Sequence, residues 1–251
     1  MKICVLVKGV PPVGTERLGA DGRIERPTLE PNGADEYVLE RALQLAESAG
    51  AEVSLLTMGP ESATDALRKG LAMGASSAVR VGDPRLAGTD LRGTVAVLAA
   101  ALRRIGPDLI LAGTDSSDGG AGVAGPAIAA RLGLPCLVNA SAIEVAAGSV
   151  TIRRPVAGGL ETLRAPLPAL VVGTQLLGEP RYPSLRGIMA ARSRTIETWS
   201  LADLGLDAPA VSTIVTGSAV PPPRAGAEIV RGDAGAVADR ILAFLDARGL
   251  P

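Results

Sequence analysis

Short apolar runs alternate with longer amphipathic stretches over the first 140 residues. The apolar runs, which are typical of buried strands, lie at residues 2–7, 53–57, 78–81, 108–112 and 134–138. Between them, apolar residues recur at helical spacing and predict helices around residues 38–43, 66–72, 95–105 and 123–132. Strands that alternate with helices of this length predict an α/β fold, a Rossmann-like open parallel sheet with helices on both faces.

The pattern changes after about residue 139. Ile143, Val145, Val150 and Ile152 alternate with polar residues, and a further apolar run follows at residues 167–172 without a full helix between. This spacing predicts antiparallel strands added to the edge of the sheet.

The sequence after about residue 200 differs from the alternating pattern and predicts a linker followed by a C-terminal helix. Residues 209–227 include three consecutive prolines and are linker-like, and residues 233–247 form an amphipathic helix. We therefore predict a nucleotide-binding α/β domain over residues 1–200, followed by a linker and C-terminal helical arm over residues 201–251. The arm packs either on its own domain or on a partner subunit.

Charge and hydropathy exclude several kinds of partner. The chain carries 25 Lys and Arg against 26 Asp and Glu, a formal net charge of -1, which indicates neither a nucleic-acid groove nor an anionic membrane surface. The apolar run at the N-terminus is too short for a membrane span or a secretory signal. We expect a cytoplasmic protein that binds no nucleic acid and does not insert stably into a membrane.

The chain contains no histidine. This excludes a histidine-based hydrolase triad and a histidine-ligated metal, since histidine is the commonest general base and metal ligand. We predict no catalytic residue and no metal site, so that function lies in binding or in chemistry that a cofactor carries.

A glycine-rich loop, LAGTDSSDGGAGVAGPAIAARLG at residues 111–133, is the strongest chemical feature. Gly119, Gly120 and Gly122 would let backbone N–H groups approach a phosphate, and a helix that begins near Val123 would add its positive end. Residues 120–125 also match the dinucleotide pattern G-x-G-x-x-G, but in a late strand–helix unit. A structural turn, a standard NAD site and nucleotide binding of another geometry stay open.

A second feature is EPRYPSLRGIMAARSRT at residues 179–195, in which apolar side chains stand among arginines and prolines. Tyr182, Leu185, Ile188 and Met189 would form an exposed apolar cluster with a basic rim, which suits protein docking. The alternative is an ordinary edge helix whose apolar face lies in the core.

Several segments together resemble electron transfer flavoprotein beta subunits, the family that includes FixA. The similar segments occur in the same order as in that family: VKGV (7–10), NGADEYVLERALQL (32–45), LRKGLAMGA (67–75), PDLILAG (107–113), GGLETLRAPLPALVV (158–172) and EPRYPSLRGIMAAR (179–192). The resemblance covers most of the chain, and the last two segments are the most specific.

The resemblance implies an electron carrier subunit and no enzyme of its own. Such a beta subunit forms a heterodimer with an alpha subunit that holds most of the redox-active FAD, and it shuttles electrons from dehydrogenases to an acceptor. It also holds a nucleotide itself, which is AMP in the commoner branch and a second FAD in electron-bifurcating relatives. Bifurcating electron transfer with NADH stays open for this chain.

The resemblance also implies particular residues. Glu161 matches an acid that interacts with the mobile flavin domain of the alpha subunit. The docking segment for dehydrogenases falls on Pro183, Leu185, Ile188 and Met189. The cofactor-binding residues fall on Gly9, Asn32, Thr57, Met58, Gly113, Asp118, Gly119, Gly120, Ala121, Gly122, Val123 and Ala124.

The glycine loop departs from the family pattern at one important point. The usual Gln-Thr-Gly at the helix start is here Val123-Ala124-Gly125, so that a side-chain amide and hydroxyl are missing and backbone N–H groups would have to bind the phosphate. The identity of the nucleotide is therefore open. Two rival classes also remain: a stand-alone adenine-nucleotide module of the universal-stress or nucleotide-hydrolase type, and an NAD-dependent oxidoreductase.

Overall fold

The computed structural model describes residues 1–222 and 226–250. Residues 223–225 of the predicted linker and residue 251 of the predicted arm lie outside the described residues. The chain divides into a large unit, Met1–Ser218, and a small C-terminal unit, Ala219–Pro251.

The large unit alternates strands and helices in its first half, as the apolar pattern predicts. Its elements there are β1 (Lys2–Leu6), β2 (Gly9–Val10), β3 (Glu30–Pro31), α1 (Gly33–Ala49), β4 (Glu52–Met58), α2 (Thr64–Met73), β5 (Ser77–Val81), α3 (Leu91–Ile105), β6 (Leu109–Gly113) and α4 (Ala124–Leu132). Helices α1, α3 and α4 end where Gly50, Gly106 and Gly133 adopt the left-handed conformation, because glycine has no Cβ to clash there.

The second half is richer in strands. It contains β7 (Cys136–Ala140), β8 (Ala142–Ala146), β9 (Ser149–Val156), β10 (Gly159–Pro166), β11 (Ala169–Gly173), α5 (Leu185–Ser193) and β12 (Glu197–Trp199), and the small unit contains α6 (Ala234–Asp246).

Seven strands form one sheet in the order β12-β5-β4-β1-β6-β11-β7, and every neighbouring pair is parallel. Strands β8, β9 and β10 form a separate antiparallel sheet, and β2 pairs with β3. The predicted α/β fold class is confirmed. The structure adds that β11, which the sequence groups with the antiparallel strands, lies inside the parallel sheet between β6 and β7.

The core lies on both faces of the parallel sheet. Ile3 and Val5 of β1 pack on one side with residues of α1 and α2, whereas Cys4 packs on the other with residues of α3 and α4. This division follows from the strand period of two, which sends successive side chains to opposite faces. The strand order reverses at β1, since β4 and β5 lie on one side of it and β6 on the other. Ligands of open α/β sheets bind at such a switch point, beyond the carboxyl ends of the strands.

Candidate functional site

A cavity of about 330 Å³ lies at this switch point. Its wall is formed by the ends of β1, β4 and β6, by the first turns of α1, α3 and α4, and by the glycine-rich loop. Most of the predicted cofactor-binding residues line it, namely Asn32, Thr57, Met58, Gly113, Gly119, Ala121, Gly122 and Ala124. The other four, Gly9, Asp118, Gly120 and Val123, lie outside the lining.

A buried carboxylate joins the ends of β1 and β6 beneath the cavity. Asp35, in the first turn of α1, accepts hydrogen bonds from the backbone N–H groups of Lys8, at 2.8 Å, and of Gly113. A Cβ at Gly113 would collide with the Asp35 carboxylate and the Ala34 backbone, so this close approach requires glycine. Burial raises the pKa of Asp35 to about 7, although these hydrogen bonds and the nearby Lys8 charge oppose the rise.

Asn32 fixes the glycine-rich loop to the start of α1. Its side-chain amide donates to the carbonyl of Asp115 at 2.7 Å, and its Oδ1 accepts from the N–H of Ser117 at 3.2 Å. It makes no side-chain cap for α1, although it stands at the N-cap position. Asn32 is therefore a wall residue that sets the position of the loop.

Lys8 and Arg26 hold the same loop from the other side, through Asp118. The Asp118 carboxylate accepts from Lys8 Nζ at 2.6 Å through one oxygen and from Arg26 Nε at 3.1 Å through the other. Lys8 Nζ also donates to Ser116 Oγ at 2.9 Å. Burial alone would raise the pKa of Asp118, but the hydrogen bonds from Lys8 and Arg26 outweigh it and lower that pKa.

The glycine-rich loop uses two of its own donors internally. The N–H groups of Gly119 and Gly120 donate to the carbonyl of Ser116 at 3.1 and 2.8 Å. Gly120 and Gly122 both have positive φ, which the tight path of the loop requires. The start of α4 offers further N–H groups to an anion, because the first turn of a helix has no intrahelical acceptors for them.

The floor of the cavity is apolar. Leu56, Leu98 and Ile128 line it, and they also belong to the core on the α3 and α4 face. Thr57 also lines the cavity, with 2% of its surface exposed, and its Oγ1 makes no hydrogen bond to any residue in the described part of the chain. A buried hydroxyl without a partner is rare in proteins, and one on a cavity wall is suited to a polar atom of a ligand.

The predicted docking segment is exposed, as the docking interpretation requires. Leu185 and Met189 on α5 have 76% and 65% of their surfaces exposed, and Ile188 is also exposed, whereas Pro183 is half-buried. Gly187 is the contact point with α2, because a Cβ there would collide with the carbonyl of Ala72. The segment thus lies on α2 through small residues while its large apolar side chains face outward.

An ion cluster in which the Glu40 side chain is buried fixes the chain just before α5. Arg181 donates to both carboxylate oxygens of Glu40 on α1, from Nε at 2.7 Å and from Nη2 at 3.0 Å, and Nη1 donates to Glu47 at 2.6 Å. Burial would raise the pKa of Glu40, but its hydrogen bonds from Arg181 lower that pKa overall. At the other end, Arg68 donates to the carbonyl of Ala191 at 2.9 Å.

Glu161 lies on β10, far along the chain from the cavity residues. It faces Arg154 across the β9–β10 hairpin, and Arg154 Nε lies 2.6 Å from Glu161 Oε2. The Glu161 side chain is partly exposed, so its charge is available to a protein surface while Arg154 fixes its direction.

In the small unit, α6 begins at the N-cap Asp233, whose carboxylate accepts from the N–H of Ala236. Its apolar residues Ile241, Leu242 and Phe244 are exposed. No helix in residues 1–222 and 226–250 is long and apolar enough to cross a membrane.

Sequence reasoning missed Lys8, Arg26, Asp35, Ser116 and the α3 contribution to the cavity. Two local signals were present: a lysine directly after a buried strand, and an aspartate in the first turn of the helix that follows. Arg26 had none, because its loop carries no regular pattern.

The fold and the cavity together define a Rossmann-like α/β protein with a ligand site of mixed polar and apolar character at its switch point. Comparison with known proteins identifies the family. The family model described as an electron transfer flavoprotein domain matches residues 24–204. The chain belongs to the electron transfer flavoprotein family.

Three curated relatives show where the chain stands within that family. It is 40% identical to the electron transfer flavoprotein subunit beta of Mycobacterium leprae over 231 residues, covering 87% of this chain and 86% of the relative. It is 35% identical to the corresponding subunit of Bacillus subtilis over 219 residues, covering 85% and 84%. It is 34% identical to the caffeyl-CoA reductase-Etf complex subunit CarD of Acetobacterium woodii over 243 residues, covering 92% of each.

These findings confirm the resemblance read from the sequence and the function of an electron transfer flavoprotein beta subunit. They do not favour the two rival classes, the stand-alone nucleotide module and the NAD-dependent oxidoreductase. The chain acts as an electron carrier subunit in association with flavin and an alpha subunit.

Proposed function

We propose that this beta subunit binds an adenine nucleotide, AMP or a second FAD, in the cavity at the ends of β1, β4 and β6. The observation that carries the proposal is the arrangement of this cavity at the point where the strand order reverses. Its volume of about 330 Å³ falls within the range of small-molecule sites.

The two ends of the cavity differ in a way that suits a nucleotide. Lys8, Arg26 and the start of α4 offer positive charge and N–H donors for a phosphate. Leu56, Leu98 and Ile128 offer an apolar surface for a planar ring, and Thr57 offers a hydroxyl beside it. FAD in the alpha subunit supplies the redox chemistry, and the residues of this chain bind, orient and dock.

We also propose that the docking segment, Pro183, Leu185, Ile188 and Met189, receives the partner dehydrogenases, and that Glu161 meets the mobile flavin domain. The exposed apolar side chains on α5 support the first role. The partly exposed carboxylate on β10 supports the second.

For the chain as a whole, we propose a nucleotide-binding domain over residues 1–200 and an arm over residues 201–251 that packs on the alpha subunit. The exposed apolar side of α6 supports this role. The cytoplasmic location stays a prediction.

Purification of the full chain together with its alpha subunit tests the proposal. We expect a yellow heterodimer, and we expect acid extraction to release nucleotide in excess of the one alpha-subunit FAD. One AMP for each FAD would favour a simple electron carrier, and two FAD would favour electron bifurcation. A stable, colourless monomer that binds no nucleotide would contradict the proposal.

A further inference from the structure

The start of α4 lacks the side-chain donors that the family pattern would place there. Val123 is exposed and lies outside the cavity wall, and Ala124 and Gly125 carry no polar side-chain atom. The N–H groups of Gly119 and Gly120 donate to Ser116. Side-chain donors for a phosphate must therefore come from another part of the chain.

Lys8 and Arg26 are two cations on the cavity wall that can donate hydrogen bonds to a phosphate. Lys8 follows β1, and Arg26 comes from the long loop between β2 and β3. Both residues line the cavity. Both are held by Asp118, whose side chain is 0% exposed and binds them through separate oxygens. The carboxylate sets the positions of both cations and lies behind them, outside the cavity lining.

A count of N–H groups shows that both cations retain donors. An ammonium has three, and the Lys8 hydrogen bonds to Ser116 and Asp118 use two of them. A guanidinium has five, and Arg26 directs only those on Nε and Nη2 at Asp118. The Lys8 and Arg26 side chains are 43% and 38% exposed, and both residues line the cavity.

Thr57 provides an independent indication that a polar ligand belongs here. Thr57 lines the same cavity, and its buried Oγ1 has no hydrogen-bond partner among the described residues. A buried hydroxyl without a partner destabilises the folded chain, so a ligand atom that bonds to it would recover that loss. A ligand that reaches both Thr57 and the two cations would span the apolar and charged ends of the cavity.

We infer that Arg26 and Lys8 form the phosphate-binding pair of this nucleotide site, in place of the amide and hydroxyl that are missing at Val123 and Ala124. The inference rests on the proposed nucleotide site and specifies which residues bind its phosphate. The ligand class is a phosphate ester of an adenine nucleotide, whether AMP or the pyrophosphate of FAD.

Calorimetric titration of the heterodimer, after dialysis to remove nucleotide from the beta subunit, tests this inference. Arg26→Ala should weaken AMP binding by about tenfold to a hundredfold, the range expected for loss of a hydrogen bond from a charged group. Binding of adenosine, which has no phosphate, should stay within twofold of the unchanged protein. Lys8→Met should show the same selective loss, and its adenosine affinity reports whether the cavity is intact.

Arg23→Ala is the matched control, because Arg23 lies in the same loop and carries the same charge but does not line the cavity. It should leave the binding of both AMP and adenosine unchanged. If the unchanged protein prefers FAD, riboflavin replaces adenosine as the phosphate-free probe. Arg26→Ala and Lys8→Met should then weaken FAD binding about tenfold to a hundredfold and change riboflavin binding by less than twofold.

The outcomes separate the inference from the proposed function. Arg26→Ala and Lys8→Met proteins that bind AMP or FAD as tightly as the unchanged protein would overturn the phosphate-binding pair while leaving the nucleotide site in place. An equal loss of nucleotide and phosphate-free probe would overturn it as well. An unchanged heterodimer that binds neither AMP nor FAD would overturn the nucleotide site and the inference with it.

Discussion

The backbone N–H of Lys8 donates at 2.8 Å to the carboxylate of Asp35, which is buried beneath the cavity. This hydrogen bond joins the end of β1 to the first turn of α1. It also places a carboxyl group whose pKa is raised to about 7 in a protein with no histidine.

Asp35 should give folding stability a pH dependence near neutrality. Its folded pKa of about 7 lies above the unfolded value near 4, so the folded state binds the proton more tightly. This contribution to stability is fully present below about pH 4 and is lost as the pH rises through about 7, at roughly 1.4 kcal/mol for each pH unit. Relative to Asp35→Asn, the unchanged chain should therefore lose stability between pH 5 and pH 7.

Urea unfolding at a series of pH values checks this expectation. Asp65→Asn is a suitable control, since Asp65 also stands in the first turn of a helix but is exposed. Parallel stability curves for the unchanged chain and Asp35→Asn would show that Asp35 does not titrate in this range.

Thr57→Val should separate the role of the Thr57 hydroxyl in folding from its role in binding. Because Oγ1 bonds to no described residue, its loss should leave the unfolding free energy without nucleotide unchanged or slightly higher. Nucleotide retained through gel filtration should fall. Thr64→Val is the control, since Thr64 Oγ1 donates at 2.6 Å to the carbonyl of Glu61. This variant should lower the unfolding free energy without changing the amount of nucleotide retained. Full retention by Thr57→Val would argue against a ligand contact at this hydroxyl.

Arg181→Ala should destabilise the chain by about 1–3 kcal/mol, because Glu40, whose side chain is 7% exposed, loses its counter-charge and keeps only the side-chain hydrogen bond from Gln44. Addition of Glu40→Gln should recover part of the loss. Arg153→Ala, which removes an exposed and distant pair with Glu144, should change stability by less than about 1 kcal/mol. Chemical denaturation of the unchanged chain, Arg181→Ala, Glu40→Gln and the double variant measures this double-mutant cycle. Strictly additive losses would show that Arg181 and Glu40 act independently.

Leu185→Ala should weaken docking of a partner dehydrogenase without changing flavin content. A central apolar anchor contributes on the order of 2 kcal/mol, which corresponds to roughly a 30-fold weaker association. Steady-state reduction by the dehydrogenase, measured over a range of heterodimer concentrations, should show a higher KM. Leu176→Ala removes another exposed leucine outside α5 and should have no effect. Identical curves for Leu185→Ala and the unchanged protein would contradict the docking role.

Glu161→Gln should slow electron transfer between the heterodimer and its partners, because it removes the charge offered to the flavin domain while keeping the shape of the side chain. Stopped-flow reduction measures the rate. Glu144→Gln, on β8 of the same small sheet, provides an exposed acid for comparison. Equal electron-transfer rates for Glu161→Gln and Glu144→Gln would contradict a role of Glu161 at the flavin domain and would leave it only the ion pair with Arg154.

Much of the fold could be predicted from the sequence, because the parallel sheet buries whole runs of apolar residues and its helices end at glycines. The position of β11 could not. Its apolar run looks the same whether it pairs with β10 or enters the sheet beside β6, and only the packing of Leu170 and Val171 on the two core faces decides between them.

The sequence predicts the parts of the site that are formed by consecutive residues. It does not predict the contacts between residues that are far apart in the chain. Gly113 and the glycine-rich loop stand next to a strand end, so local pattern located them. The cluster of Lys8, Arg26 and Asp118 joins residues up to 110 positions apart, and nothing in the local sequence of any one of them indicates the other two.

Helix α1 is 17 residues long, or about 25 Å from end to end. Its first turn supports the cavity through Asp35, and Glu40 and Glu47 further along hold Arg181 before the docking segment. The same helix thus contributes to the cavity wall and binds Arg181, which precedes α5. If α1 moves as a rigid body, a tilt at one end must displace the other, so that the cavity and the chain before α5 are mechanically coupled.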